Sequence, residues 1–597
     1  FQAEDGIRDR SPSRGLGDVY KRQNPFPASI GSQEDTSEGP LDQKAHHKTI
    51  EHTERLKRKL YEVRQGVWSQ VGNGLSNQNF VEGPEGLIVI DTGESQEEMI
   101  ASLKAVREYT DAPVAAVIYT HFHYVHGTSA LWEKESEQPP IWGHSEIENN
   151  LRRIGIDVST AATRGLIHQF GLLLPKEGQD GIVNSALGQY FRLEEHSPWT
   201  PGFIAPTHTF NEPTRATIGG LEVEMTPAPS DANDSITIWF PEIKVCINNL
   251  LWPTLFNVFA IRGEEYRDPR ILIEGIEQMI GLEAEHLVGV HGPPLSGSQQ
   301  ILDDLTQYRD SIQFMWDQTV RGINKGLTLS EITELVQLPK KYENRYFTQQ
   351  FYGLVEHHVR QIHNGLRGWF DGDESALFPL PASKRAEKLI AGFGGIEKVR
   401  EEITKALEED DLRWALELAT WLIRIEINEN GRSDGGETED RNRLASILRK
   451  IGQRTTSTNV RNWCLTRALE LEGKLDLSRF RKHRFSERQV LNQPTESFVH
   501  ALRLLLDPEL SNQLDIRIGW RFDDDSTAGL HIRNGIAVPT DGKKSEATLV
   551  IKISDWARIL GGKTTLKELL QSKDAEIEGV EAAFIKAVSC FDNPSLR

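Results

Sequence analysis

The chain has 597 residues, 38% of them hydrophobic, and a formal net charge of −20. At ~150 residues per domain such a length means several domains, each with its own core, and so acidic a chain argues against general nucleic-acid binding, which needs a basic surface. The three cysteines, Cys246, Cys464 and Cys590, lie far apart without CxxC spacing, which excludes a disulfide framework and a zinc ribbon, and no apolar run approaches the ~18 residues of a membrane helix.

Ala3 to Gln23 resembles a translated sequencing adaptor rather than part of a fold. On that reading the true start is missing, an export signal stays open, and the compartment is cytoplasmic or periplasmic. Asn24 to Lys44 is polar, with Pro, Ser and Gly, as in a disordered or wrapping arm; residues 1–44 are therefore set apart from the folded chain. Lys48 to Tyr61 fits a short surface helix. Val67–Gly72 and Asn79–Gly83 read as strands around a turn at Asn73-Gly74. Gly86–Ile90 is a buried strand running into Asp91-Thr92-Gly93. Ser95–Tyr109 is an amphipathic helix with Ser95 as N-cap and Glu97 and Glu98 in its first turn. Val114–Tyr119, opened by Pro113, is another buried strand.

That strand ends in Thr120-His121-Phe122-His123-Tyr124-Val125-His126-Gly127. Loops at strand ends are where α/β folds build their sites. His121 and His123 alternate, so an extended turn can point both to one side; His126 follows after the chain has bent. Neutral imidazoles clustered in this way are good ligands for zinc-like metals.

Ile141–His144 is a further strand and residues 146–176 are mostly helical. Thr217–Met225 is a hairpin about Gly219-Gly220, and residues 227–234 form a loop before strands at Ser235–Phe240 and Lys244–Asn248. Glu285–Pro294 is a strand ending in His291, ahead of a long helix from about Ser298 to Gly322. Paired amphipathic helices follow at Ile396–Glu408, Leu412–Ile425, Arg441–Ile451 and Val460–Leu471. From about Phe485 the pattern changes to strands at Leu514–Phe522, Ala528–Ile532 and Ala547–Ile553 with short helices, a separate small α+β unit.

Four ordered stretches then agree: the histidine loop, Arg262-Gly263-Glu264-Glu265-Tyr266-Arg267-Asp268, Gln350-Phe351-Tyr352-Gly353, and Gly368-Trp369-Phe370-Asp371-Gly372. Together they resemble the alkylsulfatases of the metallo-β-lactamase superfamily, from about Val67 to the C-terminus. The resemblance implies an α/β metallo-β-lactamase αββα sandwich over 45–325, an all-α dimerisation domain over 326–480 and an α+β sterol-carrier-like domain over 485–597. It implies metal-dependent hydrolysis of alkyl sulfate or related amphiphilic esters by a homodimer, with metal-bound hydroxide as nucleophile. Two Zn²⁺ ions are implied, one on His121 and His123, the other on His126 and His291. Arg262 would hold the sulfate bidentately, with Asn249 and Tyr352 as further substrate contacts and His291 counted with Arg262 as catalytic. Trp252, Leu255, Phe256 and Phe259 are either an alkyl channel or core.

Two positions depart from the family pattern. Val125 stands where the histidine signature has an aspartate, and Asn248 where a second segment has a glutamate. Two dications repel: at 4 Å a unit pair costs about 4 kcal/mol at ε ~20, and dications about four times that. Without anionic ligands a second metal binds weakly. Asp268 is taken as a replacement metal ligand, with Glu265 beside it and Asp231 or Asp234 as the other acids at hand. One metal on a divergent hydrolase, a catalytically impaired homologue that still dimerises and binds amphiphiles, and a hydrolase of another ester are the readings left open.

Overall fold

The computed structural model describes residues 29–597 except 133–136, 429–430, 482–484 and 492; the whole adaptor-like stretch and the first part of the arm lie outside them. The rest of the arm is ordered. Its strands β1 (Thr36–Glu38) and β2 (Lys44–His46) pair as a hairpin. It lies on the helical region: Gly31 N donates to Arg454 O at 3.0 Å, and the buried Arg461 donates to Lys44 O at 2.9 Å. Over residues 29–44 the arm lies against the helical region, where the Arg461 guanidinium ties its backbone.

Two sheets carry the catalytic half. The first runs β3 (Lys59–Arg64), β4 (Val67–Val71), β5 (Gln78–Gly83), β6 (Gly86–Ile90), β7 (Val114–Ile118), β8 (Ile141–His144) and β9 (His208–Phe210), in that spatial order. It is antiparallel up to β6 and parallel beyond. The second sheet follows the order β10 (Thr214–Ile218), β11 (Leu221–Pro227), β12 (Ile236–Phe240), β13 (Val245–Asn248), β14 (His286–Gly289) and β15 (Leu295–Ser296). The turn between β10 and β11 is the predicted Gly-Gly pair, with φ of 59° and 81°, conformations that only glycine adopts freely. Ile88, Ile90 and Ile118 of the first sheet meet Val223, Ile238 and Ile247 of the second in one apolar layer. Helix Gln96–Val106 covers the outer face of the first sheet through Met99 and Val106. Helices Pro269–Gly281, Ser298–Asn324 and Val355–Arg367 cover the outer face of the second. This is the αββα sandwich.

Lys59–Tyr61, expected at the end of a helix, belong instead to β3, Lys59–Arg64. It is an edge strand, because Leu60 and Val63 find apolar partners only when paired to β4. Beyond residue 380, helices Ala382–Phe393, Ile396–Glu408, Leu412–Arg424, Thr438–Arg454 and Thr458–Leu471 form their own core. The C-terminal unit is a five-stranded sheet of β16 (Asp515–Arg521), β17 (Thr527–Arg533), β18 (Ile536–Thr540), β19 (Ala547–Ile551) and β20 (Ala575–Gly579), ordered β18-β17-β16-β19-β20. Short helices pack on it around Trp520 and Trp556. No helix among the described residues is long and apolar enough to cross a membrane.

Ser95 caps the helix over Gln96–Val106 as predicted, accepting from Glu98 N at 3.2 Å. Glu98 itself is buried under the loop after β6 and accepts from Gln78 Nε2 at 2.8 Å and Glu94 N at 3.2 Å. Burial, and then the charge of Glu94, push its carboxyl from 4.5 up to about 8. A raised acid pKa means that the folded state keeps a proton the unfolded chain has lost. Its stabilising contribution is complete below 4.5 and is lost as pH rises through about 8. Thermal melts between about pH 6 and about pH 9 are therefore expected to show a falling midpoint, and Glu98→Gln to flatten that fall; an unchanged slope in the variant contradicts the assignment.

Candidate metal and anion site

The site lies along one edge of the sandwich, where β6, β7, β13 and β14 end and the β11–β12 loop approaches. His121 is extended at φ −171°, and Phe122–Tyr124 makes a single 3₁₀ turn, so the chain presents two imidazoles and then folds back. Asp234 Oδ2 fixes the turn by accepting from Phe122 N at 3.0 Å. Behind it, Asp91 at the end of β6 accepts from Thr120 N (2.8 Å) and Thr120 Oγ1 (2.6 Å). With its own proton given to Asp91, the Thr120 hydroxyl accepts from His121 Nδ1 at 2.9 Å. That chain fixes the His121 tautomer and leaves Nε2 as a bare lone pair.

The lone pair meets two others. His121 Nε2 lies 3.0 Å from His123 Nδ1 and 3.6 Å from Asp231 Oδ2, and His123 Nδ1 lies 3.0 Å from the same Asp231 oxygen. A tetrahedral zinc with bonds of ~2.0–2.1 Å has ligand–ligand edges of roughly 3.3 Å. The three atoms thus stand as one face of such a tetrahedron, and the donor set of two imidazoles and one carboxylate fits a divalent transition metal. Burial works to raise the Asp231 pKa, but His121 and His123 outweigh it and hold the carboxyl well below the usual range. The other Asp231 oxygen accepts from Asn249 Nδ2 at 2.6 Å, and Asn249 Oδ1 accepts from Trp252 Nε1 at 3.1 Å.

These contacts correct several assignments. Asn249, expected on substrate, is buried and spends its amide on Asp231 and Trp252, so it orients the Asp231 carboxylate. Asp268, expected on metal, is the N-cap of helix Pro269–Gly281, and its carboxylate pairs with Arg270 at 2.5 Å. Glu265 pairs with Arg153 on the surface. Asn248 accepts from Leu250 N (3.0 Å) and Leu251 N (2.8 Å) and donates to Val288 O (3.1 Å), closing the end of β13. His126 lies on a cavity wall, its Nδ1 without a protein partner. His291 donates from Nδ1 to Leu75 O at 3.0 Å, and its Nε2 faces the Tyr124 hydroxyl at 3.3 Å. Burial pushes the His291 imidazole down to about 3, so it is neutral.

The site opens into a cavity of about 1000 Å³. His123, Tyr124, Asp231, Trp252, Arg262 and Tyr352 surround its metal end, and Leu151, Leu166, Phe170, Phe191 and Phe203 supply apolar walls. Of the four candidate channel residues only Trp252 lines it; Leu255 and Phe256 are core. Arg262 meets Glu264 Oε1 from Nε at 3.0 Å and Nη2 at 2.9 Å, so Nη1 takes no part in that pair. Burial disfavours the Arg262 charge, but Glu264 together with Tyr352, Asp231 and Tyr124 more than offsets this. Gln169, which sequence reasoning missed, is the local hub. Its Oε1 accepts from Arg262 N at 3.2 Å, its Nε2 donates to Tyr352 OH at 2.8 Å, and its carbonyl accepts from Asn462 at 3.1 Å. The helix carrying it approaches so closely that a Cβ on Gly165 would lie 2.3 Å from Arg262 O.

A second cation was also missed. Arg267 is 4% exposed, lies over Trp252 at 5.8 Å, and donates once, from Nη1 to Asn257 O at 2.7 Å. Its Nε and Nη2, both amide atoms of Asn257 and Nε2 of His358 have no protein partner. A buried guanidinium normally satisfies its donors, so Arg267 keeps unpaired donors and positive charge behind Trp252.

The sequence matches the model of the metallo-beta-lactamase superfamily over residues 71–247, that of the alkyl sulfatase dimerisation region over 328–474, and that of the alkyl sulfatase C-terminal region over 485–597. It is 33% identical over 531 residues to a linear primary-alkylsulfatase of Pseudomonas sp. (strain ATCC 19151), covering 86% of this chain and 98% of that one. It is 27% identical over 549 residues to the alkyl/aryl-sulfatase BDS1 of Saccharomyces cerevisiae (strain ATCC 204508 / S288c), covering 89% and 82%. The solved stereoselective inverting sec-alkylsulfatase Pisa1 from Pseudomonas sp. superposes with a TM-score of 0.80 over 98% of this chain and 94% of that chain at 22% identity, which speaks for the fold. The chain belongs to the alkylsulfatase family of the metallo-β-lactamase superfamily.

Proposed function

We propose that this protein hydrolyses alkyl sulfate esters with a zinc ion held by His121, His123 and Asp231. The observation that carries the reading is the convergence of those three ligand atoms, at tetrahedral spacing, in one cavity with Arg262 and apolar walls. Bound there, a divalent ion would supply a water acidified toward neutral pH and a positive charge against the ester oxygens. The protein's own groups do the rest. Arg262 receives the sulfate through the guanidinium edge left by Glu264, since a planar fork matches tetrahedral oxyanions. Arg267 adds positive charge from behind. Phe170, Phe191 and Leu166 take the alkyl chain and exclude water from the reacting centre. Gln169 keeps Arg262 and Tyr352 in register.

We also read the protein as a homodimer through its helical region. Trp369 and Phe378 are 68% and 91% exposed there, and Leu377 and Leu380 lie beside them, within the stretch that matches the dimerisation model. Light scattering on the purified chain should give twice the monomer mass; a monomer at micromolar concentration contradicts this.

Purified protein is expected to release sulfate from dodecyl sulfate, to stop after chelation and to recover on adding Zn²⁺. Asp231→Asn keeps the shape and removes the charge; bound zinc by plasma mass spectrometry should fall at least about tenfold in occupancy, as for lost metal-site partners. Arg262→Ala should retain metal but lose about 10²–10³ in kcat/KM, the usual cost of removing an oxyanion donor. Protein that takes up no Zn²⁺ and releases no sulfate after Zn²⁺ is added overturns the reading.

A further inference from the structure

The second half of the expected two-metal site is present in sequence but is built differently in space. His291 is oriented as a ligand would be: its Nδ1 is spent on Leu75 O, which leaves Nε2 bare. That lone pair, however, faces the Tyr124 hydroxyl at 3.3 Å. The Tyr124 ring stands edge-on to His121 at 5.1 Å and to His291 at 5.5 Å, so it fills the space between the two halves. It is 3% exposed, and its backbone carbonyl is anchored by Thr92 N at 2.8 Å, so it has little room to withdraw.

The carboxylates a second dication would need are not supplied. Val125 is fully buried, packed with Trp68, Phe80 and Met99, and bridged to Gly93 through its backbone. Asn248 is committed to the turn after β13. Glu94, whose charge reaches both Tyr124 and His126, is paired with Arg192 at 3.1 Å. Among the described residues around this cavity only His121, His123 and Asp231 bring three ligand atoms together. A second metal would have to break the Tyr124–His291 bond and sit beside the first with Asp231 as the one shared acid, against dication repulsion.

Resting on the metal reading of the same site, we propose that the centre is mononuclear and that the Tyr124 phenol, seated on His291, takes the place of a second metal. His291 is then a positioning residue acting through Tyr124 rather than a metal ligand. The full-length chain, stripped with chelator and titrated with Zn²⁺, should take up one equivalent, read by plasma mass spectrometry after dialysis. His291→Ala should leave that count at one and shift the zinc dissociation constant by less than about threefold, whereas His123→Ala should abolish high-affinity uptake. Reconstitution with Co²⁺ gives an independent reading that needs no variant: an isolated high-spin Co²⁺ signal with full spin count is expected. Two equivalents of zinc, a spin-coupled Co²⁺ pair, or loss of metal in His291→Ala overturns the proposal. Two equivalents with dodecyl sulfate hydrolysis intact would remove this inference and leave the functional reading standing; no uptake at all would remove both.

Discussion

The structure turns on three lone pairs held about 3 Å apart. Two imidazole nitrogens and a carboxylate oxygen do not gather in a buried space unless a proton or a cation sits among them, because their partial charges repel and burial removes the water that would screen them. The chain holds them there by support from outside the ligand set. Asp91 and Thr120 set the face of His121 that is bare, Asp234 pins the turn that delivers His123, and Asn249, itself held by Trp252, aims Asp231. Each support comes from a different strand end, so the sandwich must close before the cluster exists.

Charge balance extends this from the cluster to the cavity. Arg262 is neutralised by Glu264 in a nearly dry setting, and Arg267 behind Trp252 has donors to spare. On the proposed function, an arriving sulfate would meet one guanidinium already oriented and a second contributing field without contact. Binding such an anion costs little reorganisation, since the donors are fixed beforehand by Gln169 and by the close packing at Gly165.

Much of this was legible in the chain. Strand ends, the Ser95 cap, the Gly219-Gly220 turn and the histidine loop are local features with local causes, and they fall where periodicity and turn chemistry put them. The acid partner was not legible. Asp231, Asp234, Glu265 and Asp268 all lie in loops near suitable motifs, and only the approach of the β11–β12 loop to the β7 end selects Asp231. Asn248 and Asn249 show the same limit. They are neighbours at a strand end, where successive side chains point opposite ways, so one closes a turn and the other backs the metal ligand. Tyr124 passed unnoticed because an aromatic between two histidines reads as packing until its hydroxyl is seen against His291.

The C-terminal unit bears on the site through shape. Its entry segment contributes Ser486, Arg488, Gln489 and Pro494 to the cavity lining, with Arg488 donating to Pro201 O at 3.4 Å. Its core takes in Ile156 from the helix Ile147–Ile156, and Arg503 pairs with Asp157 at 3.0 Å at the end of that helix. Leu151 of the same helix is a cavity wall. The lining thus joins apolar walls to a polar rim supplied from residues more than 200 positions downstream in sequence. On the proposed function such a rim would tolerate polarity in the substrate, because unpaired polar groups buried against Phe170 or Phe191 would cost more than the same groups beside Arg488 and Gln489. On the proposed function the site's selectivity would thus be set jointly by the sandwich and by a unit that contributes none of the three candidate ligands.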